Sequence, residues 1–341
     1  MRERPTSACS TSFQPRPILA PPSASSRHSP TTGSCSVPNS GFTVGLVQMA
    51  CGNDPAGNVA AAVEGVRQGA QAGAQILCLP ELFRSMYFCQ SEDVAYFELA
   101  EAVPGPTTRH LSALAAELAV VLVAPVFERR AAGVYHNTVV VIDADGRLLG
   151  RYRKTHIPDD PLYYEKFYFT PGDLGYPVFD TRYARVGPLI CWDQWFPEAA
   201  RLSALAGAEL LVYPSAIGWH PAERATERAT QRESWRTMQR AHAIANGVFV
   251  AAINRVGHEG PTDNGLTFWG SSFACGPDGQ ILADSAVQAP EVVLATCDRD
   301  AIERQRQGWP FLRDRRIDTY RDLTRRLLDK RTASEPPGDE T

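Results

Sequence analysis

The tightest constraint on this chain is a repeat inside it. GAQILCLPE at 73–81 is echoed by GAELLVYPS at 207–215, and ELAVVLVAPVFE at 117–128 by ANGVFVAAINRV at 245–256. The turn of VIDADGRLLG at 141–150 is likewise echoed by that of ACGPDGQILAD at 274–284. The phrases keep their order in both copies, which chance echoes among apolar runs would rarely do. Runs bounded by turn residues read as strands: TVGLVQM, QILCLP, VVLVAPVFE and NTVVVIDA in the first copy, RVGPLIC, ELLVYP, VFVAAIN and SSFACG in the second, then EVVLATC. Helical patterns alternate with them, clearest over 58–72 and over 223–246, the latter ended by Gly247. The Asp-Gly pairs mark hairpins. Two such units, each with one face of its sheet to bury, predict an α/β fold: a four-layer α-β-β-α sandwich forming one domain.

Bulk properties narrow the partners. Lys+Arg 34 against Asp+Glu 38 gives 34 − 38 = −4, so there is no cationic excess to meet a nucleic-acid backbone. The 341 residues are 44% hydrophobic and 21% charged, globular values, and no stretch approaches the roughly 18 apolar residues of a membrane span. The eight cysteines (Cys9, Cys35, Cys51, Cys78, Cys89, Cys191, Cys275, Cys297) lack CxxC pairs and ligand-like spacing to histidines, which argues against zinc and for reduced thiols in the cytoplasm. Residues 1–40, crowded with Pro, Ser and Thr, are expected to be a disordered extension. Their Arg and Ser content with Glu3 as the one acid also matches organelle transit segments, without the amphipathic pattern of those. The folded domain is expected over 41–330, and 331–341 is expected to fray.

Several residues sit where α/β proteins place chemistry. Cys191 ends an apolar run and precedes PEAARLSALAG, a strand-to-helix elbow of the kind that exposes a nucleophile. A helix N-terminus nearby would lower its pKa; a buried core thiol is the competing reading, and it is favoured for Cys78 and Cys275. Glu81 follows Pro80 at a strand end, and the repeat makes Ser215 its equivalent, so the two ends can converge on one pocket. Lys154 closes the strand after the first Asp-Gly turn, where a lysine can stabilise an oxyanion or simply face solvent beside Arg151 and Arg153. Glu165 lies among Tyr163, Tyr164, Phe167, Tyr168 and Phe169, surroundings that raise a carboxyl pKa by desolvation. Among the histidines only His156, two residues from Lys154, stands near these groups, so a Cys-His arrangement is not indicated.

LPELF, YRKTHIP and ICWDQWFPEAARL, in that order, resemble the nitrilase superfamily of carbon-nitrogen hydrolases, over roughly 43–313. The resemblance implies the same α-β-β-α sandwich and a catalytic set: Glu81 as general base and acid, Lys154 as oxyanion stabiliser, Cys191 as nucleophile. Glu165, upstream of FTPGD, is implied as the second glutamate that positions substrate or water. FRSMYFCQ, KTHIPDDPLYYEKFYFTPGDLGYPVFDT and SAIGWHP resemble the N-carbamoylputrescine amidohydrolase branch, implying hydrolysis of a ureido group to putrescine, ammonia and carbon dioxide. Plant-like members carry an acidic residue where this chain has Trp219 and His220, which leaves the contact to the distal amine open. Tyr87, Tyr163, Trp192 and Trp219 are candidate pocket walls, since aromatic faces suit a butyl chain and its ammonium. Asp193, beside the nucleophile, either orients the loop or binds the amine. The alternatives are an amidase for 3-ureidopropionate or a short aliphatic amide, whose carboxylate tail in the first case demands Arg or Lys, and a catalytically silent scaffold. The resemblance implies a homo-oligomer, a dimer or larger, to which the stretch around Trp309 and Phe311 is a candidate contact. No cofactor, metal, nucleic acid or membrane is implied, and the expected partner is a small ureido or amide substrate.

Overall fold

The computed structural model describes residues 41–285 and 288–328; the expectations for 1–40 and 331–341 lie outside the described residues. Two six-stranded sheets carry the fold. The first runs, edge to edge, Glu291–Asp298, Gly41–Gln48, Ile76–Cys78, Val121–Ala131, Val134–Ile142 and Leu148–Arg153. The second runs Phe179–Asp180, Arg185–Pro188, Leu210–Ser215, Phe249–Asn254, Phe273–Cys275 and Ile281–Asp284. In each, three parallel strands form the centre, registered Val44 to Ile76 to Val121 in one and Val186 to Leu210 to Phe249 in the other. An antiparallel hairpin closes one edge of each sheet, through Gly146 at φ +84 and Gly279 at φ +79, where the left-handed backbone suits only glycine without strain. The repeated phrases therefore occupy equivalent strands in the same order.

The sheets stack through one apolar core. Val44, Ile76, Val121, Val139 and Val141 of the first sheet pack against Val186, Leu210, Val212, Phe249 and Ile253 of the second. Phe42 and Phe249 meet edge to face at 5.7 Å across the seam. Helices cover the outer faces: Ala62, Val66, Leu111 and Leu114 of helices Pro55–Gln71 and Pro106–Leu118 pack on the first sheet. Ala199, Ala200, Trp235 and Ala243 of helices Pro197–Leu205 and Ala225–Asn246 pack on the second. Central strands covered on both faces are near-continuous apolar runs, as in Leu210–Ser215, every residue of which is buried and which is polar at its last residue. This is the four-layer sandwich that the repeat predicts.

Boundaries moved where local chemistry outweighs periodicity. The first helix starts three residues earlier than its apolar pattern, because Asp54 accepts hydrogen bonds from the Ala56 and Gly57 N–H groups and Pro55 suits the first turn. The long helix begins at Ala225 and ends as expected at Gly247, whose φ is +58. Phe249→Ala should lower the unfolding free energy by about 3–5 kcal/mol, since a void between two stacked sheets has little freedom to collapse. Urea unfolding followed by tryptophan fluorescence reads the shift.

Candidate active site

The four residues singled out for chemistry come from four separate segments. Glu81 stands in the turn just beyond strand Ile76–Cys78, followed by Leu82 at φ +51. Lys154 directly follows strand Leu148–Arg153, and its backbone is pinned by a hydrogen bond from its N–H to Asn137 O at 2.8 Å. Gly172 of the TPGD segment donates to Lys154 O at 2.8 Å, and a Cβ there would stand 2.0 Å from Arg153 O, so only glycine permits the approach. Glu165 opens the short helix Glu165–Tyr168 inside the aromatic loop. Cys191 begins the 3-10 turn Cys191–Trp195 with φ +38, a left-handed conformation that costs a non-glycine residue strain and turns the side chain off the sheet.

Inside the fold these groups form one buried cluster. Lys154 Nζ donates to Glu81 Oε1 at 2.8 Å and to Glu165 Oε2 at 2.6 Å, all three side chains being essentially inaccessible. Glu81 is held further by Asn137 Nδ2 on Oε1 at 2.7 Å and by the Ala216 N–H on Oε2 at 2.8 Å. Tyr87 donates its hydroxyl to Glu165 Oε1 at 2.7 Å. Burial disfavours the Lys154 charge, yet Glu165 and Glu81 outweigh it and hold the ammonium above the ordinary lysine range. Burial pushes the Glu165 carboxyl up to about 7, against the opposing pull of Lys154. The Cys191 thiol is pushed well above its ordinary value by burial and by Glu81, with Lys154 opposing. This corrects the expectation of a helix-lowered thiol: desolvation exceeds any help from the following turn, so Cys191 rests protonated and needs a base.

Cys191 opens onto a cavity of about 610 Å³. Glu165, Tyr163 and Trp192 line it, as does Trp195, while Glu81 and Lys154 are buried beside Cys191, whose thiol feels the charge of both. Two expected walls, Tyr87 and Trp219, do not line the cavity, nor does Asp193. Tyr87 is fully buried and spends its hydroxyl on Glu165. Trp219 sits one layer out, its Nε1 donating to Arg228 O at 3.1 Å and its ring packed 5.7 Å from that of Trp269, which does line the cavity. Asp193 is buried beneath the elbow with hydrogen bonds to both oxygens and cannot meet an amine in the cavity. His156, held by that same Asp193 and stacked on Phe196 at 3.6 Å, does not line it either.

Sequence reasoning missed Asp160 and Glu223, which stand with His220 on the outer wall, and Thr230, Gln231 and Ser234 of the long helix. Glu223 accepts from Gln231 Nε2 at 2.6 Å and from the His220 N–H at 3.2 Å, which fixes the carboxylate at the rim. The signal was present in SAIGWHPAE, read only as far as its proline. Among the described residues lining the cavity none is Lys or Arg, and no described group of three or more His, Cys, Asp or Glu is arranged to hold a metal. No described helix is long and apolar enough to cross a membrane.

A thiol at a strained elbow, backed by a buried carboxylate–ammonium–carboxylate cluster between two stacked sheets, marks the chain as a member of a class of sandwich hydrolases. Known proteins agree. The family described as carbon-nitrogen hydrolase matches residues 43–307. An N-carbamoylputrescine amidase of Solanum lycopersicum is 46% identical over 82% of this chain and 94% of its own, and a citrullinase of Francisella tularensis 40% identical over 83% and 98%. A solved carbon-nitrogen hydrolase from Helicobacter pylori superposes with a TM-score of 0.82 at 44% identity, covering 84% of this chain and all of that one. The chain belongs to the carbon-nitrogen hydrolase family, within the nitrilase superfamily.

The raised Glu165 carboxyl makes a stability prediction. The folded protein holds a proton there that the unfolded chain, with the ordinary value of 4.5, has released. That contribution is complete below 4.5 and is lost as pH rises through about 7. The unfolding free energy of the unmodified protein should therefore fall more steeply between about pH 5 and about pH 8 than that of Glu165→Gln, as measured by urea titration at each pH.

Proposed function

We propose that the protein hydrolyses the ureido group of N-carbamoylputrescine, giving putrescine, ammonia and carbon dioxide through a covalent intermediate on Cys191. One observation carries the reading: the buried Glu81–Lys154–Glu165 cluster backs a thiol whose cavity offers Asp160 and Glu223 and, among its described lining, no Lys or Arg. A cationic tail finds counter-charges there, whereas the carboxylate of 3-ureidopropionate finds none. The same charge pattern disfavours the carboxylate of citrulline, the substrate that the name of the Francisella relative indicates. The name of the tomato relative supports the choice of diamine.

The groups act in sequence. Glu81 takes the proton from the Cys191 thiol as sulfur adds to the ureido carbon. Charge develops on the ureido oxygen, met by the Lys154 ammonium and by the Trp192 N–H, in the first turn, where backbone donors lack intrahelical partners. Glu81 returns its proton to the departing amino group, ammonia leaves, and a carbamoyl thioester remains on sulfur. Water, deprotonated by Glu81 and steered by Glu165, adds to that carbon, and the thiolate leaves and recovers its proton. The N-alkyl carbamate released loses carbon dioxide. Trp192, Trp195 and Tyr163 line the alkyl chain, and Glu223 with Asp160 takes the distal ammonium.

The enzyme is also proposed to act in the cytoplasm as a homo-oligomer. Six described cysteines, all buried and unbridged, support a reducing compartment. The exposed Trp309, Phe311, Ile317, Leu323 and Leu327 support a subunit contact, which light scattering tests by returning a mass above that of one chain.

The decisive assay is ammonia release from N-carbamoylputrescine, 3-ureidopropionate and citrulline side by side, each with a Cys191→Ala control. A Cys191-dependent preference for the first is expected. Preference for a carboxylate-bearing substrate overturns the substrate reading, and silence on all three overturns it too, reopening the substrate to a short aliphatic amide or the chain to the scaffold alternative. Glu223→Gln should raise KM for N-carbamoylputrescine about 10-fold with little change in kcat, as loss of a charge-assisted contact to the distal amine requires.

A further inference from the structure

Asp193, outside the cavity, gathers four donors onto one fully buried carboxylate. Oδ2 accepts from the Ile190 N–H at 2.9 Å and the Tyr152 hydroxyl at 2.7 Å. Oδ1 accepts from the His156 N–H at 3.1 Å and lies 2.7 Å from His156 Nδ1. These donors are not scattered. Ile190 immediately precedes Cys191, and Tyr152 and His156 flank Lys154, two residues away on either side. The Tyr152 hydroxyl also accepts from the Thr155 N–H at 3.1 Å, tying down the residue between Lys154 and His156. One carboxylate thus grips the chain on both sides of the lysine and on the near side of the nucleophile, whose positive φ needs support from its surroundings.

We infer that Asp193 is a positioning residue that sets the Cys191 sulfur against the Lys154 ammonium, so that the oxyanion formed by attack at one is met by the other. The Ile190 and Tyr152 contacts join the elbow to the lysine strand through a single atom, Oδ2, and the His156 contacts stop that strand from sliding past it. Asp193 touches neither substrate nor sulfur, and its effect passes through the two backbones.

Asp193→Asn tests this with almost no change in shape. An amide offers one acceptor oxygen and one NH₂. With NH₂ at Oδ2, the Tyr152 hydroxyl can turn to accept but the Ile190 N–H faces a donor. With NH₂ at Oδ1, the His156 ring can accept in its other tautomer but the His156 N–H faces a donor. Either way a backbone N–H beside Cys191 or Lys154 loses its acceptor.

The expected result is a fall in kcat of about 100-fold with KM within about threefold, the size expected when reacting groups shift by a fraction of an ångström to an ångström. The inference rests on the proposed mechanism for Lys154, and a second readout separates the two. Alkylation of Cys191 by iodoacetamide, followed by mass spectrometry of its peptide, needs the thiol and its base but forms no oxyanion. It should slow by less than about fivefold in the same variant, with the pH limbs of kcat/KM unmoved. Equal falls in turnover and alkylation, or unaltered kcat, overturn the inference. Turnover is read on whichever ureido or amide substrate the unmodified protein hydrolyses, so a wrong choice of substrate appears as silence of the unmodified protein and not as a variant effect. Should Asp193→Asn fail to fold, Tyr152→Phe asks the same question while sparing both backbone bonds. There kcat should fall about 10-fold with alkylation within about twofold, and parallel changes or none overturn the inference.

Discussion

A lysine ammonium buried between two glutamates is the interaction on which the rest of the site depends. Lys154, Glu81 and Glu165 are all inaccessible to solvent, and removing one member of such a group leaves an uncompensated charge that typically costs about 3–5 kcal/mol. The cluster persists because each carboxylate has further donors: Asn137 and the Ala216 N–H on Glu81, Tyr87 on Glu165. Burial raises Glu165 to about 7, and because one ammonium cannot balance two carboxylates, Glu81 adds to that rise while Lys154 opposes it. The same imbalance acts on Cys191, where Glu81 adds to the effect of burial and Lys154 only partly opposes it.

The two-sheet architecture is what brings that cluster together. Glu81 and the Ala216 N–H lie at equivalent strand ends of the two copies, and their 2.8 Å hydrogen bond is the point at which the repeat becomes a site. The second copy supplies no second carboxylate: Ser215 turns its hydroxyl onto Tyr213 O, and the backbone after it does the work of a side chain. Arg255, at the end of the strand equivalent to Val121–Ala131, completes the joint. It is fully buried, sends Nε to Glu81 O at 3.0 Å and Nη2 to Leu82 O and Ser85 O, and is neutralised by Glu259 at 2.8 Å. Its neighbour Asn254 holds the other strand end, accepting from the Ile217 N–H at 3.0 Å and donating to Ile217 O at 2.9 Å.

Much of this was legible in the residues, though unevenly. The repeat carried the sheet order, because equivalent apolar runs with equivalent Asp-Gly turns must pair alike. Glu81, Lys154 and Cys191 stood out by lying just past strand ends, and the family resemblance supplied their roles. Asn137 and Ala216 were invisible, since their contacts to Glu81 span 56 and 135 residues of chain and follow no local period. Tyr87 and Trp219 were misread as cavity walls, and Asp193 was left open between orienting the loop and binding the amine, for a related reason. Tyr87 lies at the edge of a 3-10 turn, Asp193 within another and Trp219 in a two-residue strand, elements too short for a strand or helix period to say which way a side chain turns. Nearness in sequence to a nucleophile is then a poor guide to nearness in space: Asp193 is two residues from Cys191 and faces the opposite way.

The protonated thiol fixes what kind of catalyst this can be. Many reactive cysteines sit as preformed thiolates beside a cation, ready for any electrophile that enters. Here burial and Glu81 keep the proton on sulfur; in the proposed mechanism the nucleophile exists only while Glu81 is taking that proton, with Lys154 paired to the same carboxylate through Oε1. Proton removal, attack and oxyanion capture are thereby tied to one set of hydrogen bonds, and an electrophile without an oxygen to offer Lys154 gains from only part of it. The arrangement gives up reactivity of the resting thiol in exchange for discrimination in favour of carbonyl groups, which suits the unreactive ureido group proposed as the substrate.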